Sequence, residues 1–307
     1  MKISANGIQI EVEDSGGEDR PVVFLIMGLG MQLIGWPEDF VSPLVGAGFR
    51  VVRLDNRDVG LSQRFDHAGT GNLLWQSLRQ RVGLAVRSPY TLQDMANDAL
   101  GVLDALGIER AHVIGASMGG MIAQRLAAAA PARVASLVSI MSSSGARGLP
   151  GPRADVITAL MRRPADDSEA TLIAYGLKFT RLIQSPAWPM DDKAITERTV
   201  RAMKRAYNPA GVVRQMLAIG ADVERAALLA QITAPTLVLH GEADPLVPIA
   251  CGRDTAQRIP GARFVPIAGM GHDLPPQVVR LLMQRILPFI EAIPSGVEAE
   301  ESQGEAP

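Results

Sequence analysis

The 307-residue chain has 47% apolar and 20% charged residues and a formal net charge of −2, which excludes a disordered chain and a strongly basic nucleic-acid surface. Its single cysteine, Cys251, excludes an internal disulfide framework, and neither a zinc-ligand spacing nor a run of ~18 apolar residues occurs. We therefore expect a cytoplasmic protein with no metal, no cofactor and no stable membrane association, which binds a small molecule of low charge.

The pattern of apolar and polar residues in the N-terminal third of the chain predicts strands and a helix in alternation. Residues 3–13 alternate apolar and polar side chains around an Asn-Gly pair, which is typical of a hairpin. The unbroken apolar run 22–27 predicts a strand that is buried on both faces, as in a parallel sheet. A helix at about 37–45 and a second buried strand at 51–54 follow. The loop at 28–30, Gly-Leu-Gly, leaves backbone amides free to face a ligand.

The middle of the chain repeats this alternation. Residues 67–88 predict a surface excursion with a helix-compatible stretch at Leu73–Val82. Apolar residues at helical spacing predict a helix at 92–106, which begins at the Thr91–Asp94 cap and stops at Gly107. A short strand at Val113 and Ile114 then leads into a turn and an alanine-rich helix that ends before Pro131, and a further strand is predicted at 134–141.

Residues 143–232 predict helices without a convincing strand, whereas the strand–helix alternation returns afterwards. We expect an α/β fold with a mostly parallel central sheet flanked by helices. Its core would comprise residues 1–142 and 233–294, interrupted by a helical cap at 143–232 and followed by a disordered acidic tail at 295–307. The expected helices of the cap lie at about 155–162, 169–182, 192–206 and 210–219, and those of the C-terminal core at 250–258 and 276–293, with strands at 236–239 and near 262–269.

Ser117 is the candidate nucleophile. It is the central residue of Gly115-Ala116-Ser117-Met118-Gly119, which lies between a predicted strand and a predicted helix. In such a strand–turn–helix, strained backbone exposes the serine hydroxyl, and the small flanking residues let strand and helix approach closely. Because a serine hydroxyl is a poor nucleophile at neutral pH, it needs a base with a pKa near the working pH.

Histidine is the side chain that meets this need, and His272 is the candidate because it alone follows the last predicted strand in a Gly-rich turn. The other histidines, His67, His112 and His240, lie in a loop or within strands. The base needs an acidic partner, and Asp244 follows a strand end directly before a proline. The weaker competitors for that role are Glu242, Asp222 and Asp273.

An acyl-transfer site also needs amide donors for the tetrahedral oxyanion. The Met118 amide follows from the turn geometry, and the second donor is expected in the loop after the first buried strand, at Leu29 with Gly30 as the competitor. The helical cap at 143–232 contains aromatic and methionine side chains. These side chains either line a substrate pocket or pack in the cap's own core. Our candidates for substrate binding are Met27, Gly30, Phe179, Trp188 and Met270.

Between residues 8 and 293 the chain resembles the α/β-hydrolase superfamily, most specifically in the serine turn, in GEADPLVP at 241–248 and in GMGH at 269–272. LIMGLG, GWPEDF and LDNRDVGLS further resemble the aclacinomycin methylesterase branch, whose members hydrolyse a methyl ester on a polyketide-derived substrate. In many α/β-hydrolases the loop begins with His-Gly, whereas Met-Gly stands here, as in that branch. The resemblance implies the triad Ser117, Asp244 and His272, the Leu29 and Met118 oxyanion donors, and the cap at 143–232.

The leading hypothesis is a serine esterase that acts through an acyl-enzyme, with a methyl ester of a bulky substrate as one possibility. Lactone hydrolysis, cofactor-free perhydrolysis and acyl transfer use the same triad and stay open. A serine at the turn argues against haloalkane dehalogenases and most epoxide hydrolases, which need a carboxylate there. A non-catalytic receptor that keeps the fold is the alternative from another class.

Overall fold

A computed structural model of the protein describes residues 1–71, 75, 76, 79, 84–162 and 164–294. The helix-compatible stretch Leu73–Val82 falls largely outside the described residues, and the predicted acidic tail 295–307 falls entirely outside them. Within the described residues the predicted alternation of strands and helices is confirmed. The N-terminal hairpin turns at Asn6 and Gly7, whose positive φ angles of 50° and 75° are those that these two residue types tolerate.

Eight strands form one sheet in the order β1-β2-β4-β3-β5-β6-β7-β8. The edge strands β1 and β2 pair antiparallel with each other, and β2 pairs antiparallel with β4, whereas all pairings from β4 to β8 are parallel. The mostly parallel α/β sheet expected from the sequence is therefore confirmed. The strands are β1 Lys2–Ala5, β2 Ile8–Asp14, β3 Val22–Ile26, β4 Arg50–Leu54, β5 Ala111–Ala116, β6 Val134–Ile140, β7 Thr236–Gly241 and β8 Arg263–Ile267.

The helices begin and end close to the positions that the periodicity predicts. At the start of α2 the Thr91 hydroxyl accepts from the Asp94 amide while the Asp94 carboxylate accepts from the Thr91 amide, so the predicted capping box is confirmed. Outside residues 72–83, the described helices are α1 Glu38–Gly46, α2 Leu92–Ala105, α3 Met118–Ala129, α4 Ala154–Met161, α5 Glu169–Ile183, α6 Asp192–Arg205, α7 Pro209–Ala221, α8 Arg225–Leu228, α9 Ile249–Arg258 and α10 Pro276–Glu291.

Helices cover both faces of the sheet and create two apolar cores. Strand β3 shows how one strand serves both: Phe24 packs in the core that includes α2 and α3, while Val23 and Leu25 pack in the core that includes α1 and α10. Side chains alternate between faces with a period of two, so a strand covered on both sides must be apolar throughout. Burying each such side chain contributes roughly 1.5–3 kcal/mol.

Helices α4 to α8 follow one another between β6 and β7, and the described part of residues 143–232 contains no strand. This helical segment is attached to the sheet edge by buried polar contacts. The Arg214 guanidinium binds the Asp58 carboxylate through two hydrogen bonds of 2.7 Å, and Arg205 binds Asp55 at 2.6 Å. Both aspartates lie in the loop that follows β4, at the same sheet edge as Ser117.

Candidate active site

Ser117 lies in a sharp turn between β5 and α3 with φ of 55° and ψ of −121°. A positive φ is unfavourable for a residue with a Cβ, so the surrounding structure must hold this conformation. The neighbouring glycines are required by space: a Cβ on Gly115 would lie 2.3 Å from the Gly119 carbonyl oxygen, and a Cβ on Gly119 would lie 2.0 Å from the Ile26 carbonyl oxygen. The small residues on either side of the serine therefore have a steric cause.

The loops after β5, β7 and β8 bring Ser117, Asp244 and His272 together. The Nε2 atom of His272 lies 3.0 Å from the Ser117 Oγ, and the Nδ1 atom lies 2.7 Å from the Asp244 Oδ2. These distances suit a neutral imidazole that donates its Nδ1–H to the carboxylate and accepts the serine hydroxyl proton at Nε2. Parallel strands make this convergence possible because all their carboxyl ends lie at one edge of the sheet.

The Asp244 carboxylate is held firmly in its turn. Its Oδ1 accepts hydrogen bonds from the amides of Leu246 and Val247 at 2.9 and 2.8 Å, which leaves Oδ2 for the histidine. The His240 Nε2 donates to the Val247 carbonyl at 2.7 Å and lies 3.6 Å from the Asp244 Oδ2. The turn therefore fixes both the position and the rotation of the carboxylate.

The competing acids are exposed or have other partners. Glu242 is exposed, and Asp222 forms ion pairs with Arg125 and Arg225. Asp273 is adjacent to the histidine, but its Oδ1 accepts from Ser185. The His272 ring has hydrogen bonds to Asp244 and Ser117 and none to these three acids.

The remaining histidines lie apart from Ser117. His67 is exposed on a short 3-10 turn, and His112 is buried with its Nδ1 2.8 Å from the Ser136 Oγ. Burial lowers the pKa of His112 to about 4, so this side chain is neutral at physiological pH. His240 is the one closest to the candidate site, and it contacts the acid's turn rather than the serine.

The loop after β3 lies against the serine turn. A Cβ on Gly28 would lie 3.1 Å from the Ser117 Cβ. The amide of Gly30 is taken, because it donates to the Gln215 side-chain oxygen at 2.9 Å. Among the described residues, by contrast, the amides of Leu29 and Met118 have no acceptor within the protein. The two free amides are those that the sequence favours for the oxyanion.

Polar residues after β4 hold this donor loop, and the sequence alone did not identify that role. Asn56 donates to the Met27 carbonyl at 2.9 Å, and Asp55 accepts from the Leu33 amide at 2.7 Å. Asp55 and Asn56 directly follow the buried strand β4. This position in the sequence is the signal that could have placed them at the edge of the sheet where Ser117 lies. Arg57 instead forms a buried ion pair with Asp98 at 2.6 Å.

Comparison with known proteins agrees with this geometry. Residues 21–276 match the family described as α/β hydrolase fold. The chain belongs to the α/β-hydrolase fold family. It is 32% identical over 276 residues to the rhodomycin D methylesterase of Streptomyces sp. (strain C5), which covers 84% of this chain and 86% of that protein. The rhodomycin D methylesterase of Streptomyces peucetius is also 32% identical, over 278 residues and the same shares of the two chains.

A crystal structure of a hydrolase from Pseudomonas aeruginosa PA01 superposes on this α/β-hydrolase with a TM-score of 0.69 at 27% identity, and the match covers 94% of this chain and 97% of that one. The resemblance to α/β-hydrolases of the methylesterase branch is thus confirmed. The family match and these relatives indicate that the protein is an enzyme, namely a carboxylic ester hydrolase.

The residues predicted to bind substrate lie in different environments. Met27 and Met270 are 4% and 0% exposed and pack in the core beside α1 and α10. Phe179 is partly buried and stacks on Tyr175, and Trp188 packs on the edge of the same core as the methionines. Gly30 faces the helical segment, where a Cβ would lie 2.9 Å from a methyl group of Val212. Direct contact of these residues with substrate stays a prediction.

Two other residues, outside the candidate site, are buried in the protein. Trp36 is 1% exposed and packs on Phe40 with ring centroids 4.7 Å apart, so it anchors α1. Cys251 is a buried free thiol in α9. Each helix within the described ranges is too short or too polar to cross a membrane. The cytoplasmic location expected from the composition stays a prediction.

Proposed function

We propose that this α/β-hydrolase is a serine hydrolase that cleaves a carboxylic ester through an acyl-enzyme, with Ser117, His272 and Asp244 as its catalytic triad. The observation that carries the proposal is the continuous hydrogen-bonded series from the Asp244 carboxylate through the His272 ring to the Ser117 hydroxyl, at 2.7 and 3.0 Å. In this role the carboxylate fixes the tautomer of the ring and stabilises the imidazolium that forms.

In the first half-reaction the Ser117 Oγ attacks the ester carbonyl carbon while its proton passes to the His272 Nε2. The bond between the acyl carbon and the alkoxy oxygen then breaks, and the imidazolium returns the proton to the departing alcohol. In the second half-reaction a water molecule gives a proton to His272 and attacks the acyl-enzyme. The serine leaves with that proton, and the carboxylic acid is released.

We further propose that the amides of Leu29 and Met118 bind the oxyanion of both tetrahedral intermediates. The engagement of the Gly30 amide by Gln215 supports Leu29 over Gly30 as the second donor. Met118 is the first residue of α3, where backbone amides have no partner within the helix and the helix dipole favours negative charge. Each well-placed donor contributes roughly 3–4 kcal/mol to lowering the barrier.

Residues 143–232 are proposed as the cap over this site. The Ile183 carbonyl accepts from the His272 amide at 2.7 Å, and the Ser185 hydroxyl accepts from the Gly271 amide at 2.9 Å. Together with the contact between Gln215 and Gly30, these bonds attach the helical segment to both loops beside the serine. A bulky methyl ester is the proposed substrate class, because two methylesterases are 32% identical to the chain over most of its length.

The test compares Ser117→Ala with a matched control, Ser42→Ala, in which an exposed serine of α1 is changed. Ser117→Ala should lower kcat for p-nitrophenyl esters by roughly 10⁴- to 10⁶-fold with an unchanged circular dichroism spectrum, whereas Ser42→Ala should keep full activity. Labelling by a fluorophosphonate should likewise be lost only in the first variant. Unchanged turnover or labelling in Ser117→Ala would refute the triad.

The substrate class is tested separately. The wild-type enzyme is assayed with p-nitrophenyl esters of graded chain length, with bulky methyl esters and with lactones. Highest kcat/KM on the bulky methyl esters supports the proposal. A preference for lactones over every ester would keep the triad but reject the methyl ester class.

A further inference from the structure

The loop at 269–273, here called the histidine loop, is bonded to the helical segment on both sides of His272. The His272 amide donates to the carbonyl of Ile183, the last residue of α5, at 2.7 Å. The preceding Gly271 amide donates to the Ser185 hydroxyl oxygen at 2.9 Å. The following residue, Asp273, accepts from the Ser185 amide at 2.9 Å and from the Ser185 hydroxyl at 2.5 Å. Three consecutive residues of the histidine loop are thus bonded to the end of α5 and the residues just after it.

Ser185 is the centre of these contacts. Its buried hydroxyl accepts from the Gly271 amide and donates to the Asp273 Oδ1, which a hydroxyl can do at once because it has one proton and two lone pairs. The Asp273 carboxylate is buried as well, and within the described chain both of its hydrogen bonds come from Ser185. Because a buried charge is costly without hydrogen bonds, the position of Asp273 depends on Ser185.

Two glycines of the histidine loop let the helical segment approach this closely. A Cβ on Gly271 would lie 2.6 Å from the carbonyl oxygens of Ile183 and Gln184. A Cβ on Gly269 would lie 2.5 Å from the Ala187 Cβ. Real Cβ atoms essentially never come within 3.0 Å of such neighbours, so a larger residue at either glycine would push the two segments apart. The Gly-rich turn that marks the histidine in the sequence therefore has a steric cause.

The reach of the His272 ring depends on where its backbone is held. The Nε2 atom lies 3.0 Å from the Ser117 Oγ, whereas proton transfer needs a separation of roughly 2.6–3.2 Å. The observed distance is near the upper end of that range. A displacement of about 1 Å at a reacting group can lower a rate on the order of 100-fold, so a small shift of the histidine loop would impair the transfer.

We propose that Ser185 and Asp273 are positioning residues for His272, so that the helical segment holds the general base within reach of Ser117. This inference rests on the proposed catalytic triad and adds to it the residues that hold its histidine in place. Both residues act through the backbone of the histidine loop and not on the reacting atoms.

The experiment measures how fast an alkyl fluorophosphonate labels Ser117, because this reaction needs the histidine as base but requires no knowledge of the substrate. The Ser117 oxygen displaces fluoride from phosphorus while His272 takes the hydroxyl proton. Ser185→Ala removes the hydroxyl and keeps the backbone amide. We expect its second-order labelling rate constant, and its kcat for p-nitrophenyl acetate, to fall roughly 10- to 100-fold with little change in KM.

Ser168→Ala is the matched control. Ser168 is exposed at the start of the same helix, α5, where its hydroxyl accepts from the Thr171 amide at 3.3 Å. Loss of this cap lowers the stability of α5 without a change at the histidine loop, so the labelling rate should match that of the wild type. An unchanged rate in Ser185→Ala, or an equal fall in both variants, would overturn the inference.

Asp273 supplies a graded comparison. Asp273→Leu removes the acceptor and should lower kcat most, whereas Asp273→Asn keeps a neutral acceptor that forms weaker hydrogen bonds and should lie between Asp273→Leu and the wild type. Equal rates for the two variants would reject a role of these hydrogen bonds. If Ser185→Ala and Asp273→Leu do not fold, Asp273→Asn decides alone, and a wild-type labelling rate in that variant rejects the inference.

A double variant separates positioning of the histidine from direct contact with the substrate. In a His272→Ala background, Ser185→Ala should cause no further loss of the residual hydrolysis of p-nitrophenyl acetate, because a residue that acts through the ring has no effect once the ring is absent. A further loss by the factor seen in the single variant would contradict the positioning role.

Failure of the proposed function gives a different result. A wild-type protein that the fluorophosphonate does not label at Ser117 refutes the triad and, with it, this inference. Labelling at Ser117 that Ser185→Ala leaves unchanged refutes the positioning role alone and keeps the triad.

Discussion

The ion pair between Asp58 and Arg214 connects the sheet to the helical segment, and its removal gives a sharp test of how that segment is held. Arg214 is 1% exposed, Asp58 is 0% exposed, and two hydrogen bonds of 2.7 Å join them. Burial works to raise the pKa of the Asp58 carboxyl, but the hydrogen bonds and charge of Arg214, together with further hydrogen bonds such as that from the Phe65 amide, outweigh it and leave the pKa below its ordinary value. The carboxylate therefore stays charged and depends on its partner.

Arg214→Met keeps the apolar stem but leaves that carboxylate buried and unpaired. Loss of one partner of a buried ion pair costs about 3–5 kcal/mol. For a chain of this size each kcal/mol lowers Tm by roughly 2–4 °C, so a decrease on the order of 10 °C is expected. Adding Asp58→Asn removes the stranded charge, and the double variant should lose less stability than the sum of the two single variants.

Urea denaturation followed by circular dichroism measures these differences. Arg181→Met is the control, because its ion pair with Asp192 is more than half exposed and such pairs contribute about 0–1 kcal/mol. Activity should fall as well in Arg214→Met, since the neighbouring Gln215 holds the Gly30 amide. A loss of unfolding free energy in Arg214→Met that is no larger than the loss in Arg181→Met would refute this contribution of the buried ion pair.

Three further predictions concern single residues. Asp244→Asn should lower kcat by roughly 10⁴-fold because the wrong tautomer of the histidine is then favoured; a decrease below tenfold on p-nitrophenyl butyrate would contradict the proposed role. For His112, the folded pKa of about 4 lies below the unfolded value, so stability is full above pH 6.5 and is lost as the pH falls towards 4. Between pH 7.5 and 4.5 the wild type should lose about 2.5 kcal/mol more than His112→Asn in urea titrations, and parallel losses would exclude this linkage. Gly119→Ala should yield little folded protein, because its Cβ would lie 2.0 Å from a backbone oxygen of Ile26; a wild-type melting temperature would show that the turn can relax.

Several features of the fold could be predicted from local sequence because their causes are local. The apolar run at β3 is continuous because helices cover both faces of the sheet, and the Thr91–Asp94 box caps α2 through contacts three residues apart. The order of Ser117, Asp244 and His272 along the chain could also be predicted, since each follows a strand of a parallel sheet. Periodicity and strand ends are properties that a sequence displays directly.

Other features depend on pairs of residues that are distant in the chain. Nothing near Gly30 indicates that Gln215, 185 residues later, binds its amide and leaves the Leu29 amide free. Likewise, the sequence places Asp273 beside the histidine but does not show that one of its oxygens binds Ser185 and the other binds nothing. Such pairings depend on how the helical segment packs on the sheet edge.

The sequence by itself determined the α/β architecture, the family and the three residues proposed for catalysis. Hydrophobic period, turn-forming residues and the order of motifs along the chain can all be recognised from short stretches of sequence. Only the tertiary structure decided which backbone amides remain free and which buried charges lack partners. Whether such a group is paired depends on which partners folding brings within hydrogen-bonding distance, and those partners can be distant in the chain. In this enzyme such groups lie between the helical segment and the loops around Ser117, the region that is proposed to hold the catalytic histidine in place.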